Sequence, residues 1–185
     1  LILTDREIRI FLERGVFEIA PKPEPAAFAS SSVDLTLDQQ ISLFRLPKPG
    51  VGQYVDPAAP GFKSDNVIKE ITDPYSIDPK AGYDLEPNTL ILAWTREFVD
   101  LKDSRLAARV EGKSSLARLG LAIHVTAPTI HAGFSGSIRL EVINHGPMPI
   151  RLRTGMRICQ LVFEQTLGTP DKGYQGQFVG QTAVA

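Results

Sequence analysis

EGKSSLARLGLAIHVTAPTIHAGFSGSIRLE, running from Glu111 to Glu141, holds most of the polar residues that are placed rather than scattered, and its second half decides the fold class. Gly133, Phe134, Ser135 and Gly136 read as a turn. From Ser137 to Ile143 apolar and polar residues then alternate with a period of two, which predicts a strand. Ile138, Leu140 and Val142 share one face of it, and Arg139, Glu141 and Ile143 share the other. A carboxylate on a strand otherwise suited to burial is costly unless it is paired or used, so Glu141 is the first candidate for chemistry. The first half offers Gly112, Lys113, Ser114 and Ser115, which put backbone N–H groups, a cation and two hydroxyls together, with Arg118 three residues on. That set suits a polyphosphate. Gly-Lys-Ser runs are also common in surface turns, and this one is no Walker loop, because neither Ala107 nor Ala108 is the Gly that GxxxxGK[ST] requires.

Working outward, TLILAWT (89–95) is a nearly continuous apolar run and reads as a core strand buried on both faces. SSSVDLTLD (30–38) alternates, so it is a strand with Asp34 on its polar side. Ile158 to Phe163 closes the core, with Gln160 facing the same way as Ile158 and Val162 and therefore needing a partner for its amide. Leu116, Ala117, Leu119 and Leu121 fit a short helical turn that aims Ser114, Ser115 and Arg118 in one direction. Ala122 to Thr126 returns to strand. Asn144 to Pro149 is a hairpin-like turn, followed by a short strand at Ile150–Leu152. At the N-terminus, Thr4 followed by Glu7 is a capping box, and Ile8, Phe11 and Leu12 recur at helical spacing before Gly15. This gives a helical segment within residues 1–20. Residues 21–29, with Pro21, Pro23 and Pro25, run extended. Residues 47–88 read as loops and brief strands, and Val67, Ile68 and Ile71 as short apolar pieces. Residues 168–185 lack periodicity and read as a mobile tail with Tyr174 and Phe178 as anchors.

The chain has 185 residues, enough for one domain with a real core. Its 15 Gly and 14 Pro interrupt it so often that short strands are favoured over long helices, and the class is mainly β. A net charge of −1 provides no basic field, which argues against a nucleic-acid partner. There is no secretory signal and no apolar span of membrane length, so a cytoplasmic location is expected. The chain opens on Leu1 without an initiating Met, which leaves the native start open. The single Cys159, flanked by Ile158 and Leu161, reads as a small core residue and excludes both an internal disulfide and a multi-cysteine metal site. His124, His131 and His145 are too separated to suggest a metal centre, and zinc nucleobase deamination, which needs HxE and PCxxC elements, is excluded.

Taken together and in this order, SSVDLTL (31–37), EGKSSLARLGL (111–121), HVTA (124–127), GFSGSIRLE (133–141), NHGPMPI (144–150) and RTGMRICQLVFE (153–164) resemble the dCTP deaminases of the trimeric dUTPase superfamily. The resemblance runs from TDREI (4–8) to YQGQ (174–177). It implies a distorted β-barrel or jelly-roll subunit, a homotrimer with active sites shared between neighbours, and metal-free deamination of dCTP to dUTP and ammonia. It implies Glu141 as the proton-transferring catalyst, with Ser114 and Arg118 holding and polarising the water. Substrate contacts are implied at Lys113, Ser115, Ala127, His131, Arg139, Leu140, Gln160, Tyr174 and Gln177, those at Arg139 and Leu140 through the backbone. Mg²⁺ would arrive on the triphosphate with no zinc, and the resemblance implies dTTP as a candidate feedback inhibitor. Two departures stand out. His131 replaces the Asp usual in both branches, which weighs against a dUTPase or a bifunctional enzyme releasing dUMP, and Gly173 replaces the usual lysine before the tail tyrosine. Both favour a dUTPase-like nucleotide-binding protein without turnover, against which the intact Ser114, Arg118 and Glu141 argue.

Overall fold

The computed structural model describes residues 1–45, 54–103, 105–171 and 180–183. In chain order the elements are α1 (Asp5–Glu13), β1 (Glu18–Ala20), a 3₁₀ turn (Pro25–Ala27), β2 (Phe28–Ala29), β3 (Ser32–Phe44), α2 (Ser64–Ile71), β4 (Thr72–Ser76), β5 (Tyr83–Leu85), β6 (Leu90–Asp100), β7 (Leu106–Gly112), α3 (Ser114–Ala117), β8 (Leu121–Ala122), β9 (Thr129–Ile130), β10 (Ser135–Asn144), β11 (Ile150–Leu152) and β12 (Arg157–Gln165). The protein is therefore mainly β, with the short N-terminal helix that the capping pattern predicts. No helix among the described residues is long and apolar enough to cross a membrane.

The principal sheet runs β8-β10-β6-β3-β12-β7-β9, with β1 added to β6 and β2 and β4 added to β3. Its two ends, β8 and β9, are joined by residues 123–128 alone, so the sheet must curl until its edges approach, as in a half-barrel. β3 makes the curl. Its first half pairs with β12 through Val33–Thr36, and its second half pairs with β6 at Leu37 and again from Ile41, and with β4 from Gln40. Between Leu37 and Ile41 the register with β6 shifts, and just before Leu37 a β6 side chain bonds to β3: the N–H and hydroxyl of Thr36 donate to the Glu97 carboxylate at 2.8 and 2.7 Å.

One apolar core runs from Leu3 through β3, β6, β7, β10 and β12 to Phe163, whose ring stacks on Phe17 with centroids 4.4 Å apart. α1 is joined to it by Ile8, fully buried, with Phe11 and Leu12 packed alongside. The Thr4 hydroxyl donates to the Glu7 carboxylate, Asp5 and Glu7 sit in the first turn where the helix dipole favours negative charge, and Gly15 leaves the helix at φ 67°.

Several expectations are corrected. The N-terminal helical segment ends at Glu13, and Glu18–Ala20 joins the sheet against Phe98–Asp100. Residues 21–29 include a 3₁₀ turn and a two-residue strand rather than running extended throughout. Val67, Ile68 and Ile71 are one stripe of α2, whose i, i+1, i+4 spacing is helical, although no residue of that helix is buried. Ala122 to Thr126 is not a strand beyond Ala122, because β8 stops where the chain turns back toward β9. Asp34 is not on a solvated face: it is 7% exposed, since β3 is covered on both sides there.

Candidate active site

Alternation along β10 sorts its side chains. Leu140 and Val142 are buried in the core, while Arg139 and Glu141 face a cavity of about 390 Å³ at the place where the sheet curls back on itself. The connector from β8 to β10 supplies His124, Ala127 and His131 to the lining, and α2 adds Asp65. Glu141 is tied to the connector by the Val125 N–H, which donates to its carboxylate at 3.5 Å. Arg139 stacks on the ring of Trp94, its cross-strand neighbour, with the guanidinium carbon 5.1 Å from the ring centroid. Burial lowers the pKa of Arg139 from its ordinary value, and the nearby Asp65 and Glu141 carboxylates partly offset that shift. Its Nε is buried without a hydrogen-bond partner, as is Nδ1 of His124. A buried donor left in that state costs about 1–3 kcal/mol.

The C-terminal piece closes one side of the cavity. The Ser137 N–H donates to the Gln181 carbonyl at 2.9 Å, and the Gln181 amide donates back to the Ser137 carbonyl at 3.0 Å. Gly136 permits the approach, since a Cβ there would stand 3.0 Å from the Gln181 carbonyl oxygen. Gly180 and Gln181 thus lie against β10, while Tyr174 and Gln177 fall outside the described residues.

The lysine-serine element does not join Glu141 within this chain. None of Lys113, Ser114, Ser115 and Arg118 is among the described residues that line the Glu141 cavity. Ser114, Ser115 and Arg118 are exposed on α3 and its cap, so the sequence expectation of Glu141 beside the KSS and Arg118 donors is not met within this chain. A separate groove of about 330 Å³ runs beside Ala117, Gly120 and His145, and His124 lines both spaces. Lys113 turns inward and pairs with the buried Asp34, whose other oxygen lies 3.7 Å from Arg157. Gln160 is also engaged inside the protein: the Ser32 hydroxyl donates to its carbonyl at 2.7 Å, and its amide donates to the Gly112 carbonyl at 3.0 Å. Together these contacts stitch β3, β12 and the end of β7 beneath α3.

The chain therefore brings Glu141, Arg139, Leu140, Ala127 and His131 to one cavity and leaves Ser114, Ser115, Arg118, Lys113 and Gln160 elsewhere. Sequence reading missed the part played by His124, Asp65, Trp94 and Gln181. His124 stands in the HVTA motif but was weighed only as a metal ligand. Trp94 was hidden in a run read as wholly core, and Asp65 and Gln181 fall in segments where no period is visible. Burial keeps the Cys159 thiol neutral by pushing its pKa up. Among the described residues no three His, Cys, Asp or Glu side chains converge on a metal position.

A family model described as dCTP deaminase-like matches residues 2–166. The chain is 40% identical over 170 residues to a dUMP-forming dCTP deaminase of Methanobrevibacter smithii, covering 91% of this chain and 82% of that one. It is 39% identical over 184 residues to a dUMP-forming dCTP deaminase of Aquifex aeolicus, covering 100% and 92%. It is 38% identical over 172 residues to a dCTP deaminase of Rhodospirillum rubrum, covering 93% and 86%. Among solved structures, the fold is similar to that of a 2'-deoxycytidine 5'-triphosphate deaminase from Agrobacterium tumefaciens, with a TM-score of 0.67 at 23% identity over 89% of this chain. This chain spans about half of that one, 48%.

Proposed function

The chain belongs to the dCTP deaminase-like family, and from that premise we propose that it hydrolytically deaminates the cytosine of dCTP, releasing ammonia. The observation that carries the reading is the Glu141 carboxylate, set by strand alternation in a cavity large enough for a nucleoside, beside a desolvated cation. Glu141 takes a proton from the water that adds to C4 and passes it to N3. It then relays the new hydroxyl's proton to the amino group. The C4–N bond breaks, ammonia leaves, and a carbonyl remains at C4.

The water also has to be held, and Ser114 and Arg118 are the residues whose chemistry suits that task. Their exposure on α3, away from the Glu141 cavity of their own chain, supports a homotrimer in which a neighbour's α3 completes each site. Mg²⁺ would arrive with the substrate and offset part of the triphosphate charge. dTTP, which shares the sugar and triphosphate, is the proposed feedback ligand.

The proposed product is dUTP, because His131 lines the cavity where a carboxylate would be needed to orient a second water onto the phosphate chain. A second reading, continued hydrolysis to dUMP and pyrophosphate, is favoured by the names of the M. smithii and A. aeolicus relatives. Incubation with dCTP and Mg²⁺, with products separated by chromatography, tests both. Ammonia with dUTP is expected. Ammonia with dUMP would replace the product assignment, and no ammonia would overturn the reading.

A further inference from the structure

Arg139 has no evident structural employment. Its guanidinium is half-buried and braced on the Trp94 ring, yet its buried Nε has no hydrogen-bond partner. No carboxylate among the described residues forms an ion pair with it, and Asp65 and Glu141 act on it only at longer range. Arginines kept for stability satisfy their donors; this one lines the Glu141 cavity and an adjoining space of about 480 Å³ at once.

We infer that the Arg139 side chain is a substrate-reading group, donating to the carbonyl oxygen at C2 of the pyrimidine while Glu141 works at C4. The inference rests on the deaminase reading and deepens it. Arg139 and Glu141 lie on one face of β10 two residues apart, about 6.7 Å along the strand. Two groups so spaced can address the meta-related C2 and C4 positions of one ring. As water adds to C4, the electrons of the C4=N3 bond move onto N3 and, through the N3–C2=O conjugation, onto the C2 oxygen. A cation already partly desolvated and held by an aromatic face stabilises that charge with little reorganisation. It also rejects rings that present a donor in place of the carbonyl.

The test pairs wild type and Arg139→Met with dCTP and with 2-thio-dCTP, whose sulfur is a poor acceptor, and reads ammonia release. In wild type the sulfur is expected to lower kcat/KM roughly tenfold to a hundredfold, the worth of a charge-assisted hydrogen bond. Arg139→Met should lose a similar factor on dCTP and show almost no further penalty with sulfur. Arg139→Lys, which keeps the charge, should retain part of the sulfur penalty. Equal sulfur penalties in wild type and Arg139→Met, or no penalty in wild type, would overturn the inference while leaving the deaminase reading intact. Wild type that releases no ammonia from dCTP overturns that reading, and this inference with it. If Arg139→Met fails to fold, the wild-type and Arg139→Lys penalties decide the matter alone.

Discussion

Asp34→Ala is expected to destabilise the protein strongly although Asp34 lies outside the Glu141 cavity. The side chain of Asp34 is only 9% exposed, and that of its partner Lys113 is 24% exposed. Removing the carboxylate strands an ammonium in a partly dry place and withdraws the longer-range partner of Arg157, 3.7 Å away. Breaking a fully buried pair costs about 3–5 kcal/mol. Water reaches Lys113, so the low end, about 3 kcal/mol, is appropriate. In a chain of this size each kcal/mol moves Tm by about 2–4 °C, so a loss of roughly 6–12 °C should appear in thermal unfolding followed by circular dichroism. Lys113→Met should lose stability as well, because it leaves the buried Asp34 charge with only the longer contact to Arg157. The double variant should lose less than the sum of the two, since each single variant leaves the other's charge uncompensated. A Tm shift under about 2 °C for Asp34→Ala, well below that range, or simple addition in the double variant, would show that the pair does not hold β3 to β7 as argued here.

Light scattering of the active protein should return the mass of a trimer, and a monomer mass with full activity would refute the shared site. Gly120→Ala should disrupt the end of α3 and the 144–149 turn together, because Gly120 has φ 96° and its Cβ would stand 2.2 Å from the Gly146 nitrogen; soluble protein of unchanged Tm would contradict this. Native protein should leave Cys159 unreacted with a thiol reagent that titrates it after unfolding. The folded state holds this thiol neutral, so its contribution to stability is full below the unfolded thiol value of about 8.5 and is lost as pH rises beyond it. Denaturant titrations at pH 7 and pH 10 would detect that decline, and equal stability at the two would argue against it.

Much of the fold was legible because its strands carry period-two or fully apolar patterns: the cores of β10 and β12 and the first half of β6 were readable, although β10 begins at Ser135, inside the stretch read as a turn. The curl was not, since it depends on the pairing of β3 with two different strands, which no local pattern encodes. α2 was lost because Val67, Ile68 and Ile71 leave only three apolar positions among breakers, too few to declare a helix. Glu141 was legible as a carboxylate on a burial-prone strand. The inward turn of Lys113 was not, because a lysine next to two serines looks the same in sequence whether it meets phosphate or the buried Asp34. Arg139 was assigned a backbone role only, since the stacking that desolvates it depends on the register that sets it opposite Trp94.

Glu141→Gln tests the central claim most directly, because it keeps the size and polarity of the side chain and removes its capacity to carry a proton. Calorimetry with dCTP should show binding close to that of wild type. Ammonia release should fall by about ten-thousandfold or more, the upper end for a general acid/base, because one carboxylate serves twice in the cycle. Turnover reduced by less than about tenfold would make Glu141 a structural carboxylate and contradict the mechanism.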